Sequence, residues 1–426
     1  MSAARDPEST QVAVDPTAIR LEAASHCQLR CPSCPTTSGA IRPAIGSGFL
    51  RASDFERLLD RNPQVRAVEL SNYGEIFLNP ELPEILRIGH QRDIKLTAQN
   101  GVNLNAISEG VLEDLVRYRL HSLTCSIDGA TSESYARYRV RGDLAKVLEH
   151  IRAINALKRR HRSPYPLLRW QFVVFGHNEH EIPAARRMAG ELKMDFTPKL
   201  TWDDDFSPIR DRDFVLRESG FDAATREEYR QSTGEDYARA ICTQLWIDPQ
   251  INWDGKMLGC CRNFWGDFGA NAFTEGVRAA ANSEPMHRAR AMLLGRAPAR
   301  DGIPCTTCEI YLGMRESGRW LGATAPPPMD PPQARARAAA YLSLGRLLDA
   351  EAIYLALLAT NAGEPEALFG MAMVRFGIGW NDSALAFARA AVAASPADPR
   401  PRDLLERVER EIGEAPAQTA LETITP

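Results

Sequence analysis

The sequence has no run approaching the roughly 18 consecutive apolar residues that a membrane-spanning helix requires, and its first twenty residues, MSAARDPESTQVAVDPTAIR, hold no apolar stretch at all. No span, anchor or signal peptide is expected, and a reducing cytoplasmic setting follows. An excess of either charge is also missing. The 51 Lys and Arg against 55 Asp and Glu leave a net charge of -4, so no bulk attraction to nucleic-acid phosphates or acidic lipids is expected. Cysteine is scarce, nine in 426 residues, and odd in number, which excludes a disulfide-dense secreted scaffold. With 29 Gly, 28 Pro, 44% hydrophobic and 25% charged residues, the composition also excludes collagen, a coiled-coil rod and a disordered chain. At about 150 residues per domain, the length predicts two or three globular units.

What is present is a rhythm of short β-like runs and amphipathic stretches between residues 18 and 206. Strands are predicted at Ala18 to Glu22, Val65 to Leu70, Ile94 to Thr97, Ser122 to Ile127, Leu168 to Phe175 and Phe196 to Leu200. Ser53-Asp54-Phe55-Glu56 reads as a capping box opening a helix. Repeated βα units imply a parallel α/β sheet, either open and doubly wound or a partial barrel, with the ligand site at the carboxyl ends of the strands. Residues 207–322 lose the rhythm and read as a separate, smaller, metal-stapled unit. The Pro-rich stretch 323–332 reads as a stiff linker. Beyond it, Gly345 and Gly379, Ala350 and Ala384, and Pro365 and Pro399 are each 34 residues apart, with Tyr354 answered by Ala388. That is the period of a tetratricopeptide helix hairpin, so two such hairpins are expected over 333–412, between a flexible N-terminus at 1–17 and a tail at 413–426.

The cysteines fall in two groups. Cys27, Cys31 and Cys34 have C-x3-C-x2-C spacing directly after the first strand. Three soft thiolates suit zinc or an iron-sulfur cluster. Zinc would want a fourth ligand, for which His26 is badly placed, whereas a four-iron cluster with three protein ligands leaves one iron open for a small molecule. Cys242, Cys260, Cys305 and Cys308 form a second set suited to zinc or a complete four-iron cluster. Cys261 is adjacent to Cys260, and Cys125 reads as a buried strand residue.

The first loop resembles that of the radical S-adenosylmethionine (SAM) enzymes. Further motifs resemble that family in the same order: Gly74-Glu75 after the second strand, Asn79-Pro80-Glu81-Leu82, Gln99-Asn100-Gly101 ending the third, Ser126-Ile127-Asp128-Gly129 after the fourth, Arg139, and Phe175 to Glu181 after the fifth. The resemblance implies a SAM-binding four-iron cluster on Cys27, Cys31 and Cys34, with Gly74, Glu75, Asn100, Ser126, Asp128 and Arg139 contacting SAM. It departs from the family at Gln28, usually Asn, and at Ser33, usually an aromatic residue that leans on the adenine. Cys242 to Cys261, with Gly255 before Cys260, is similar to the SPASM or twitch extensions of this family, which implies one auxiliary four-iron cluster.

The implied fold is an α/β partial (β/α)6 barrel, then a small cluster-binding α+β extension and an all-α helical-repeat unit. The implied activity is reductive cleavage of SAM to a 5'-deoxyadenosyl radical that abstracts hydrogen from a substrate carbon. An external electron donor such as flavodoxin or ferredoxin is implied with it. The single-auxiliary-cluster spacing is similar to that of radical dehydrogenases of aminocyclitols, so oxidative tailoring of a small polyol or sugar-like metabolite is the first reading, with Asp203, Asp204 and Asp205 weak candidates for a base against a solvated acidic turn. A peptide or protein maturase, with the helical repeats docking substrate or partner, is the second. A zinc-binding interaction scaffold is the third. Either spare thiol, Cys125 or Cys261, could serve as a hydrogen donor.

Overall fold

The computed structural model describes residues 13–322 and 329–413. Residues 1–12 of the N-terminal segment, 323–328 of the linker and 414–426 of the tail lie outside the described residues. Six strands form the first half: β1 (Ala18–Leu21), β2 (Ala67–Glu69), β3 (Lys95–Val102), β4 (Ser122–Ser126), β5 (Leu167–Val174) and β6 (Asp195–Leu200). Each overlaps the apolar run that predicts it. β3 runs on to Val102 through a register shift after Ala98, where Gly101 takes φ +115°. A glycine inside a strand marks such an irregularity because other residues resist positive φ.

The six strands pair in chain order, all parallel. A doubly wound sheet would show a reversal of strand order, and there is none among them. Both faces of the sheet are buried, yet they differ, because side chains alternate along a strand. Val68, Leu96, Leu123, Cys125, Trp170 and Phe196 are buried on one face, while Glu69, Thr97, Ser122, Thr124, Gln171 and Asp195 are buried on the other. The polar face is the one on which chemistry can be done.

Residues 207–322 are not set apart as their composition implies. β7 (Gln250–Ile251) pairs parallel to β1 on the side away from β2, and β8 (Met257–Gly259) pairs antiparallel to β7. The eight-stranded sheet is thus mostly parallel. Met257, Val277, Met286 and Met292 share one hydrophobic core with Leu21, Val68 and Ile85. The physical reason is the edge: without β7, β1 would present unpaired backbone groups.

The capping box is also corrected. The helix Ala52–Arg61 begins ahead of Ser53, and its N-cap, Arg51, makes no side-chain cap bond. The Glu81 carboxylate accepts the Ala52 amide at 2.7 Å instead, so a residue 29 positions away does the work expected of Ser53.

Five helices follow the linker: Pro331–Ser343, Leu347–Thr360, Pro365–Gly377, Asn381–Ala394 and Pro399–Gly413. The first opens at Pro331, inside the stretch read as linker, because Asp330 caps it by accepting the Gln333 amide at 2.9 Å. Gly345 and Gly379 both take positive φ at the turns.

Candidate functional site

The loop after β1 carries the first three cysteines. Cys31 is buried, Cys27 and Cys34 are half-buried, and Leu29, Tyr138, Val173, Phe175 and Phe206 wall them in. Their sulfurs bear on one another. The Cys27 thiol is pushed up to about 12 by burial first, then by the Glu75 carboxylate, with smaller contributions from Cys31 and Cys34. Two donors point at the sulfurs: Asn103 Nδ2 lies 3.7 Å from Cys27 Sγ, and Arg139 Nη1 lies 3.8 Å from Cys31 Sγ. Donors to sulfur are one of the levers a protein has over an iron-sulfur cluster. Soft ligands, an apolar wall and hydrogen-bond donors make this loop fit such a group.

The predicted SAM-contacting residues are placed as follows. Gly74 touches the strand that leads into the loop; a Cβ there would lie 2.0 Å from the Ala24 carbonyl oxygen and 2.9 Å from the His26 nitrogen. Glu75 is buried and accepts the amides of Asn103 at 2.6 Å and Phe77 at 3.3 Å. Burial, only partly offset by these bonds and Arg139, lifts its carboxyl to about 7. Arg139 joins the same group through Asp128, whose Oδ2 accepts the guanidinium Nε at 2.6 Å and whose Oδ1 accepts the Val173 amide at 2.8 Å. Burial works against the Arg139 charge, but Asp128 and the Cys31 sulfur outweigh it and hold the guanidinium protonated. Asp128 is therefore spent on Arg139 and β5. Ser126 lies under Gly101, where a Cβ would come within 2.4 Å of its hydroxyl. Asn100 is held apart from the cysteine loop, its amide on Ser71 Oγ at 3.0 Å and its side chain on Asn72.

Sequence reasoning missed three contributors here. Asn103 both donates to Cys27 and anchors Glu75. Glu22, at the end of β1, accepts the amides of Tyr73 and Gly74 at 3.1 and 3.2 Å, and burial raises its carboxyl to about 8. A lone carboxylate closing an apolar strand was the signal for it. Third is Trp202, 47% exposed after β6, whose indole N–H donates to the Ser33 carbonyl at 3.3 Å. Asp203 is not solvated either, since the Ser33 hydroxyl donates to its carboxylate.

The second set of cysteines converges more plainly. Cys242, Cys260, Cys305 and Cys308 line one cavity with about 420 Å³ of space between atoms, walled by Leu245, Leu258 and Phe268 among others. Burial pushes the Cys260 thiol up to about 12 and that of Cys242 higher still. Cys261 faces elsewhere. It lines a cleft of about 1290 Å³ together with Ser33, Tyr73, Trp202, Arg226 and Trp265. Cys125 is fully buried between Thr124 and Ser126, on the opposite face from their side chains. A single zinc needs its ligands about 2.3 Å or less from one point, and among the described residues no three His, Cys, Asp or Glu side chains converge that closely. A four-iron cluster spreads its ligands over separate corners.

No helix among the described residues is long and apolar enough to cross a membrane. No protein-family model and no curated protein matches the chain. Solved structures do. SuiB of Streptococcus suis bound to S-adenosylmethionine is 15% identical, with a TM-score of 0.50, over 70% of this chain and 71% of that one. The same protein without that ligand in its description gives 16% identity and the same TM-score and coverage. Native anSMEcpe with bound AdoMet matches at 13% identity and a TM-score of 0.47, over 69% of this chain and 86% of that one. These neighbours are radical SAM enzymes, and what the likeness shows is a shared fold.

Proposed function

We propose that the chain is a radical SAM enzyme with an auxiliary iron-sulfur cluster, acting oxidatively on a substrate carbon. The observation that carries this is the division of seven cysteines into two apolar-walled nests, three in the loop after β1 and four around one cavity. In this reading Cys27, Cys31 and Cys34 hold the SAM-binding four-iron cluster, and Cys242, Cys260, Cys305 and Cys308 hold the auxiliary one. The sheet is then the partial barrel of that family, residues 207–322 its SPASM or twitch extension, and the five helices a tetratricopeptide-like array open to a partner. The bound cluster and SAM together supply a one-electron cleavage whose organic radical takes hydrogen from the substrate.

The chain's own residues supply position and shielding. Arg139, fixed by Asp128, keeps positive charge beside Cys31, and Glu75 presents a buried carboxylate suited to an ammonium group. Trp202, hydrogen-bonded to Ser33, provides the aromatic surface that position 33 lacks. An external donor such as flavodoxin or ferredoxin would deliver the electron.

For the substrate, the cleft reverses the order of the sequence readings. Sites for compact ligands run to roughly 1,000 Å³, and this one reaches about 1290 Å³ with exposed Trp202 and Trp265 on its wall. A peptide segment suits that space better than a small polyol.

The test is anaerobic reconstitution followed by iron analysis and SAM turnover. About eight iron per chain is expected, four for each of two four-iron clusters, together with reductant-dependent 5'-deoxyadenosine. Cys260→Ser should remove about four iron, and Cys261→Ser none. Stoichiometric zinc without iron would overturn the proposal.

A further inference from the structure

The wall of the large cleft carries five arginines, and four of them are satisfied. Arg230 pairs with Glu227, Arg239 with Glu235 and Arg262 with Glu309, while Arg319 donates to the Thr233 carbonyl. Arg226 differs. Its Nη2 reaches only the Leu200 carbonyl at 3.3 Å, its Nε is buried without a partner, and its guanidinium lies over the Tyr237 ring at 5.0 Å. The acidic groups nearest in effect, Asp236 and Asp204, form no ion pair with it.

A second cation stands beside it. Lys199 lies on the polar face of β6, alternating with Asp195 and Thr197, and is half-buried. Arg169 is already engaged with Asp195 at 2.9 Å. Cys261 and Arg226 both line the cleft, so Lys199 sits at its β6 end.

Two neighbouring, partly desolvated cations without a counter-charge are costly, and proteins keep buried charges paired. The missing partner fits a ligand. Resting on the reading of this cleft as the substrate site, we infer that Arg226 and Lys199 together bind an oxyanion of the substrate, a carboxylate or a phosphate. Guanidinium and ammonium groups are the usual recognisers of both. Burial, with Arg169 and Arg226 adding to it, brings the Lys199 ammonium down to about 8, and a bound anion would relieve that strain.

The experiment titrates inorganic phosphate and, separately, acetate into the full-length protein purified anaerobically, followed by calorimetry. It reads anion binding directly, so it stands whether or not SAM is cleaved. Saturable binding of one or both anions is expected, weakened at least tenfold by Arg226→Gln and by Lys199→Gln, largely retained by Arg226→Lys, and unchanged by Arg230→Gln on the same wall. The tighter anion identifies which oxyanion the substrate carries. Absence of saturable binding, or binding that neither glutamine variant weakens while melting temperatures stay unchanged, would overturn the inference.

Discussion

Gly74 shows how much one missing side chain can hold. Its neighbours are backbone atoms, the Ala24 carbonyl at 2.0 Å and the His26 nitrogen at 2.9 Å from where a Cβ would stand, and backbone cannot swing aside as a side chain can. Gly74→Ala should therefore cost about 3 kcal/mol in urea denaturation, the upper range for overpacking. It should also lower iron at the first site, because the displaced strand runs into Cys27. A variant of full stability and full iron would sink this account. His177 carries a pH dependence. It is 7% exposed, both ring nitrogens lack partners, and burial, aided by Arg137, brings its pKa down to about 4. An unfolded His titrates near 6.5, so between those values the unfolded chain binds the extra proton and stability falls as pH falls. Glu22 and Glu75, raised to about 8 and about 7, act with the opposite sign: the folded state holds their protons, and stability falls as pH rises toward those values. The measurement is thus a difference. Relative to His177→Phe, the wild type should lose up to about 1.4 kcal/mol per pH unit between pH 6.5 and 4; parallel curves for the two proteins would refute it.

At the scale of elements, what was legible followed from local pattern. Six strands were readable because each is a short apolar run between helix signals, and the 34-residue period was readable because it recurs in small residues and prolines. What stayed hidden depends on partners distant in sequence. The helix start at Ala52 rests on Glu81, and β7, only two residues long, exists because β1 has a free edge. Among the site residues, the cysteine grouping could be read from spacing, whereas Lys199 and Arg226 could not, since nothing in the sequence tells a paired cation from an unpaired one. The break in the repeat is instructive too. Tyr354 packs on Gly370, where a Cβ would lie 2.3 Å from the ring. Thirty-four residues on, Ala388 shares a core cluster with Leu404. Large against small in one hairpin becomes small against large in the next, so volume is kept while identity is not. The caps obey the same period: Asp330, Glu364 and Asp398 each precede a proline that opens a helix, and each accepts a backbone amide from the following turn.

For the whole molecule, the question is what the helical array does for the sheet. β6 ends the sheet, and an edge strand invites pairing with other chains. Its outward positions are all answered. The Phe196 amide donates to the Gly345 carbonyl at 2.9 Å, Pro198 has no amide to offer, and the Leu200 carbonyl accepts from Arg226. The array adds further ties: Asp195 accepts the Leu348 amide at 3.0 Å, Trp380 donates to the Pro164 carbonyl at 2.9 Å, and Lys193 pairs with Glu411 at 3.1 Å. Removing residues 323–426 therefore does two things at once. It takes away any docking surface, and it bares the Phe196 amide and the apolar side chains around it. We expect the truncated chain to melt at lower temperature and to aggregate on concentration even with no partner present, so lost turnover in that variant would say nothing about docking. The separating variant is Leu355→Glu with Met373→Glu, which alters two exposed apolar positions of the array, 46% and 39% accessible, and leaves the contacts to β6 intact. It should keep the wild-type melting temperature and oligomeric state, and any change in turnover on the true substrate then reports on docking alone. A truncated chain that stays monomeric with an unchanged melting temperature would show that β6 needs no cover.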